Sequence, residues 1–95
     1  MRKELIGKAA KILKALGNEK RLQIAYILLD KELKVGDLEK LVGLSQSALS
    51  QHLAVLREAE VVKTRRDAQT IYYSICNDKV VKTLLLLDNL YAKIY

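Results

Sequence analysis

Residues 36–58 have the sequence GDLEKLVGLSQSALSQHLAVLRE, which contains two helical patterns separated by a turn. The first, about Gly36–Leu41, has one apolar side. Gly43 follows it, and glycine accepts the left-handed conformation that often ends a helix. Ser45 stands where an N-cap belongs, before a second helix that extends to about Glu58. A short helix, a tight turn and a capped helix together predict a helix-turn-helix.

The second helix of this pair has two faces of different chemistry. Leu49, Leu53 and Leu56 lie within about 60° of one another and form a stripe that we expect to be buried. The opposite face is small or polar and nearly uncharged, and it contains Gln46, Ser47, Ser50, Gln51 and Ala54. Glutamine can bond two atoms of one adenine, and serine can donate to or accept from base edges. We therefore predict a base-reading face, the alternative being a surface without function.

Two strands are predicted after this helix, at Val61–Arg66 and Ile71–Ile75, because apolar residues alternate in the second of them. The connection 66–70 is predicted as a charged loop. The basic and polar side chains of this hairpin are Lys63, Arg65, Arg66 and Gln69. We expect them to contact phosphates or to enter the minor groove, since phosphate contacts position a protein on the duplex. The alternative is an ordinary solvated hairpin tip.

The remaining chain is predicted to be mostly helical. Apolar spacing indicates helices at Lys3–Leu16 and Glu19–Leu29, and a short strand at about 32–35. Asn77 is expected to cap a last helix over Asp78–Lys93. The predicted fold class is therefore all-α with a small β-hairpin, in the order α-α-β-α-α-β-β-α. The 95 residues form one domain, 1–95, because the length leaves no room for a second.

Composition restricts the class of protein. A hydrophobic content of 51% excludes a disordered chain. The net charge of +6 fits a polyanionic partner, although it fits simple solubility equally well. The first and last helices have more apolar surface than one small domain covers, which predicts a homodimer. We assign to this interface Leu5, Ile12, Leu84, Leu85, Leu87 and Tyr91.

Several functions are disfavoured. No apolar run approaches the roughly 18 residues that a membrane span needs, and no signal-peptide block follows the start, so we expect a cytoplasmic protein without membrane contact. One cysteine and one histidine cannot build a tetrahedral zinc site. No set of nucleophile, base and acid is recognisable, so we expect no enzyme. Cys76 is interpreted as a packing residue. His52 is interpreted as a residue that either packs or hydrogen-bonds a phosphate.

The segment 44–59 resembles the recognition helix of winged-helix repressors of the arsenic-repressor (ArsR/SmtB) family, and segment 65–73 resembles their wing. Segments 29–38 and 90–91 resemble the branch that contains hemolysin-gene activators and biofilm or nodulation repressors. The resemblance implies a symmetric dimer formed through the first and last helices. It also implies that operator bases are read by Gln46, Ser47, Ser50 and Gln51.

The chain departs from this family at its sensor positions. Metal-sensing members carry Cys-x-Cys near the third helix, where this chain has Lys34-Val35-Gly36, or an Asp-x-His pair on the last helix, which here has no histidine. The resembled branch often uses two cysteines as a redox switch, and those positions hold Tyr26 and Ala92. We therefore expect neither a metal nor a dithiol sensor.

Together these observations predict a regulator of transcription that binds an inverted-repeat operator in double-stranded DNA as a homodimer. The alternative is a winged-helix module that binds another protein. The two differ in their salt response, because DNA affinity falls steeply with salt.

Overall fold

A computed structural model describes residues 1–92 of the chain, and its element order confirms the predicted fold class. The elements are α1 (Lys3–Leu16), α2 (Glu19–Asp30), β1 (Leu33–Lys34), α3 (Val35–Val42), α4 (Gln46–Glu58), β2 (Val62–Asp67), β3 (Thr70–Ile75) and α5 (Asp78–Ala92). The bounds predicted for the first helix agree with α1. The expected end of the last helix at Lys93 lies outside the described residues.

Side-chain caps begin three of the helices. The Oδ1 atom of Asn18 accepts hydrogen bonds from two backbone amides in the first turn of α2. Ser45 Oγ accepts from the amide of Ala48 at 3.2 Å and begins α4. Asn77 Oδ1 accepts from the amide of Val80 at 3.2 Å and begins α5. Each cap satisfies an amide that has no partner within its own helix.

Gly43 sets the angle between α3 and α4. Its φ of 67° and ψ of 33° are left-handed, and its amide donates to the carbonyl of Glu39 at 3.0 Å. A Cβ built on Gly43 would meet nothing within 4 Å. The requirement for glycine here is therefore one of backbone conformation, not of space.

The sheet is antiparallel, with strand order β1-β3-β2. The predicted loop over 66–70 was too long, because Arg66 pairs with Ile71 and Asp67 with Thr70. Only Ala68 and Gln69 form the turn, and Ala68 has the positive φ of 56° that such a tight turn needs. The backbone ladder thus continues almost to the tip, while the polar side chains extend into water.

The core is built around α2, with α1, α4 and α5 packed against it. Leu84 of α5 belongs to this core, since none of its surface is exposed. Its assignment to the dimer surface was therefore wrong. Val80 and Leu84 are four residues apart and share the helix face that packs inward. Consecutive residues of a helix project in different directions, so only some of four adjacent leucines can face the core.

The turn between α3 and α4 generates a stability prediction. Gly43→Ala should lower the free energy of unfolding by about 1–2 kcal/mol, because a Cβ disfavours the left-handed backbone. Gly36→Ala is the matched control, in α3 and also with open space around its Cβ position. It should raise stability by about 0.5–1 kcal/mol. Urea unfolding checks both, and equal effects of the two variants would contradict the assignment.

Candidate nucleic-acid interface

Helix α4 presents to solvent the polar face that was predicted. Leu49, Leu53 and Leu56 are fully buried and fix the helix on the core. The side chains on the opposite face are all exposed, and they are Gln46, Ser47, Ser50, Gln51 and Ala54. No acidic residue lies in the first turn of α4. The N-terminal half of the helix is therefore an uncharged, hydrogen-bonding surface with short side chains, which suits close approach to base edges.

The register of the wing, the β2–β3 hairpin (62–75), separates its basic residues onto two faces. Tyr73 pairs with Leu33 of β1 and with Thr64 of β2, so these three side chains share one face of the sheet. Leu33 is buried, so this face is the one that packs on the core. Side chains alternate along a strand, so Arg66 lies on this inner face, whereas Lys63 and Arg65 lie on the outer one. The single basic arm expected from the sequence is thus divided into two.

Arg65 is held by a partner that lies far away in the sequence. Its guanidinium donates from Nε to Glu32 Oε1 at 3.1 Å, and Nη2 donates to the same oxygen. The guanidinium carbon lies 4.6 Å from the centroid of the Tyr72 ring. Because Tyr72 is on the central strand, the Arg65 side chain crosses the sheet from β2 to the start of β1. This contact braces the wing against the body of the protein.

The pair also alters the charge that the wing presents. Hydrogen bonds from Arg65 lower the pKa of the Glu32 carboxyl, against an opposing effect of desolvation, and the positive charges of Arg65 and Lys63 lower it further. Glu32 is therefore ionised at neutral pH and cancels the Arg65 charge. One edge of the guanidinium fork is already occupied. Arg65 is thus a weaker candidate for phosphate binding than its sequence position indicated.

A groove of about 460 Å³ lies between the exposed face of α4 and the inner face of the sheet. Ser50, Ala54 and Arg57 of α4 line one side of it, and Tyr73 of β3 lines the other. The sequence analysis missed Arg57. The signal was present, because Arg57 follows Ala54 by three residues and Ser50 by seven, which places all three on one helix face.

The histidine of α4 is tied to the end of α1. Arg21 Nη1 lies 3.4 Å from His52 Nδ1, and Arg21 Nε donates to the carbonyl of Ala15 at 2.6 Å. Arginine can only donate, so Nδ1 of His52 accepts. His52 is half-buried, and this contact joins it to α2.

The position held by Tyr26 connects α2 to α5. Tyr26 Oη donates to the carbonyl of Leu84 at 2.7 Å. Burial raises the pKa of Tyr26, and the nearby charge of Asp88 raises it further. The hydroxyl thus stays protonated and keeps its donor. Cys76 lies at the end of the wing, half-buried, and its amide donates to the carbonyl of Val61 at 2.9 Å.

A second surface is apolar and lies on the helices at the two ends of the chain. Leu5 is 46% exposed, Leu85 is 53% exposed and Tyr91 is 60% exposed, whereas Ile12 and Leu87 are half-buried. Further exposed apolar residues, which the sequence analysis did not name, are Ile6, Leu13, Leu86 and Leu90. Exposed large apolar side chains therefore lie on both terminal helices.

The family model described as "Bacterial regulatory protein, arsR family" matches residues 18–64. The chain belongs to this family. The transcriptional activator HlyU of Vibrio cholerae is 51% identical over 86 residues, covering 90% of this chain and 80% of that protein. The nodulation protein NolR of Rhizobium meliloti is 55% identical over 84 residues, covering 88% and 69%.

Solved structures give the same result for the fold. The structure of HlyU from Vibrio cholerae has a TM-score of 0.89 at 50% identity, covering 97% of this chain and 99% of that one. A homodimeric winged helix-turn-helix DNA-binding domain from Mycobacterium bovis has a TM-score of 0.88 at 28% identity, covering 95% and 83%.

This arsR-family protein is accordingly a DNA-binding regulator of transcription with a winged helix-turn-helix, and not an enzyme. The polar face of α4 is the exposed face of the second helix of that motif. Among residues 1–92, no helix has the length and apolar character needed to cross a membrane.

The brace between Glu32 and Arg65 generates a titration prediction. Because the pKa of Glu32 is lowered in the folded state, the pair stabilises the fold at neutral pH, and this contribution is lost as the pH falls through that lowered pKa. NMR titration of the Glu32 carboxyl should therefore give a lower midpoint in the wild type than in Arg65→Gln. Arg66→Gln is the matched control and should leave the midpoint unchanged. An equal shift in both variants would show that only general charge acts on Glu32.

Proposed function

We propose that this regulator binds an inverted-repeat operator as a homodimer and places α4 of each subunit in the major groove. The observation that carries the proposal is the exposed, uncharged polar face of a helix whose other face is locked in the core. A two-fold dimer presents two such helices about 34 Å apart, which is one turn of the duplex. As a bacterial regulator of transcription it would act in the cytoplasm, where the chromosome lies.

In this proposal Ser45 caps the reading helix and the residues that read bases are Gln46, Ser47, Ser50 and Gln51. The cap occupies the amide of Ala48, and the positive end of the α4 helix dipole would favour approach to phosphate as well. Ala54 has no reach of its own, and its small side chain leaves space for the duplex beside the helix.

The wing supplies contacts to the backbone or the minor groove, through Lys63, Arg65, Arg66 and Gln69. Neither Lys63 nor Arg66 forms a salt bridge with a described residue, so each brings a full positive charge. Arg65 keeps its pair with Glu32 and offers only the outer edge of its guanidinium. The main role of Arg65 in this proposal is structural, because its pair with Glu32 holds the wing at a fixed angle to the body of the protein.

The apolar surface of α1 and α5 supports the homodimer. We propose that the partner subunit covers Leu5, Ile12, Leu85, Leu87 and Tyr91. Burying one leucine contributes roughly 1.5–3 kcal/mol, so several from each subunit suffice for a stable association. Both α1 and α5 pack on α2, and the side chains assigned to this interface lie on α1 and α5 and not on the polar face of α4.

The chain lacks the metal-ligating side chains and the cysteine pair that serve as sensors in the family it resembles. Residues 1–92 contain no group of three or more His, Cys, Asp or Glu side chains that could hold a metal ion. Tyr26 cannot form a disulfide, and its hydroxyl is engaged with α5. We propose that this regulator works without a metal site and without a dithiol switch.

The base-reading proposal is tested with Gln51→Ala. The variant should lose about 1–3 kcal/mol on the cognate operator and discriminate less between bases at one position in each half-site. Gln23→Ala, an exposed glutamine on α2, is the matched control and should bind like the wild type. Equal losses of Gln51→Ala on cognate and random duplexes would contradict base reading. A salt-independent affinity of the wild type would favour the protein-binding alternative.

The dimer is tested with Leu85→Glu. Each substitution places a charge on both sides of a symmetric interface, so the dimer dissociation constant should rise roughly 100-fold or more. Leu41→Glu, on α3 and 56% exposed, should leave it unchanged. Sedimentation equilibrium measures both, and an unchanged dimer in Leu85→Glu would place the interface elsewhere.

A further inference from the structure

The groove between α4 and the wing lies where a duplex must pass. If α4 occupies the major groove and the wing reaches the adjacent minor groove, the phosphodiester backbone that separates the two grooves runs between α4 and the wing. The space available there is the groove of about 460 Å³ lined by Ser50, Ala54, Arg57 and Tyr73. The geometry of B-form DNA therefore indicates that a segment of the phosphodiester backbone would occupy this groove.

The lining of this groove has the chemistry of a phosphate site. Arg57 is exposed, and its side chain forms no salt bridge and no hydrogen bond with a described residue. One acid, Glu58, also lines the groove, and its Oε1 lies 3.9 Å from Nζ of Lys11 on α1, so its charge is partly offset. Tyr73, on the opposite side of the groove, can add a hydroxyl donor. A planar guanidinium and hydroxyls are the groups that proteins commonly use to bind backbone phosphates.

We propose that Arg57, assisted by the hydroxyl of Tyr73, binds one backbone phosphate of the operator in each half-site. The proposal rests on the proposed function and adds to it the cation that anchors α4. Val35 and the buried Leu53 form the apolar part of the groove lining, and the half-buried Val35 would contact the deoxyribose. Arg57 suits this role better than Arg65, because binding through Arg57 breaks no ion pair within the protein.

The test compares Arg57→Gln with Lys79→Gln. Both remove one positive charge at an exposed helix position, but Lys79 is at the start of α5, away from the groove. Affinity for a cognate and an unrelated duplex is measured by fluorescence anisotropy between 50 and 200 mM salt. Arg57→Gln should reduce the log–log salt slope by about 0.9 per subunit bound, which is about an eightfold loss for each contact at 0.1 M salt. The loss should be the same on both duplexes. Lys79→Gln should change neither quantity.

A second measurement locates the contact. Operators that carry one uncharged methylphosphonate at successive positions should bind the wild type more weakly at one phosphate per half-site. Arg57→Gln should no longer distinguish that position, and Tyr73→Phe should distinguish it less.

The outcomes separate the two proposals. If the wild type binds with a steep salt slope and Arg57→Gln keeps both that slope and the methylphosphonate pattern, the phosphate site is wrong and the operator proposal stands. If the wild type binds no duplex, both proposals are wrong.

Discussion

The structure depends on the burial of one stripe of leucines on α4. Leu49, Leu53 and Leu56 fix the rotation of this helix about its own axis, because turning it would expose them to water. Everything that faces outward is thereby determined. The polar residues of the N-terminal half and Arg57 of the C-terminal half form one continuous exposed face. Gly43 and Ser45 set where the helix begins, so the same few residues position both the core and the exposed polar face of α4.

Fewer positive side chains are available to a polyanion near α4 and the wing than the net charge of +6 suggests. Arg65 is cancelled by Glu32, and Lys11 lies against Glu58. The positive groups that remain available near α4 and the wing are few, and strand alternation places Arg66 and Lys63 on different faces. A bound duplex would therefore contact a few basic side chains at fixed positions and not a broad positive surface. This distribution favours defined docking over general attraction to polyanions.

Local features could be predicted from the sequence, whereas long-range pairing could not. Caps and helical spacing identified α1 and α4 at their observed bounds, because both signals lie within one turn of the feature they report. The brace between Arg65 and Glu32 joins residues 33 positions apart through a sheet whose strand order is not sequential. The four leucines at 84–87 are a second case in which the sequence alone was insufficient. Their spacing predicts a helix, but only the packing of α5 on α2 decides which of them is buried.

We propose that the exposed face of α4 and the wing form the DNA-binding surface of this regulator. Backbone amide chemical shifts of the labelled protein, followed while a duplex selected from a random pool is added, test it most directly. The largest shifts are expected at residues 46–57 and 63–70, with α5 nearly unchanged. Shifts that are largest along α1 and α5 would contradict it, because they would place the duplex on the surface assigned here to the second subunit.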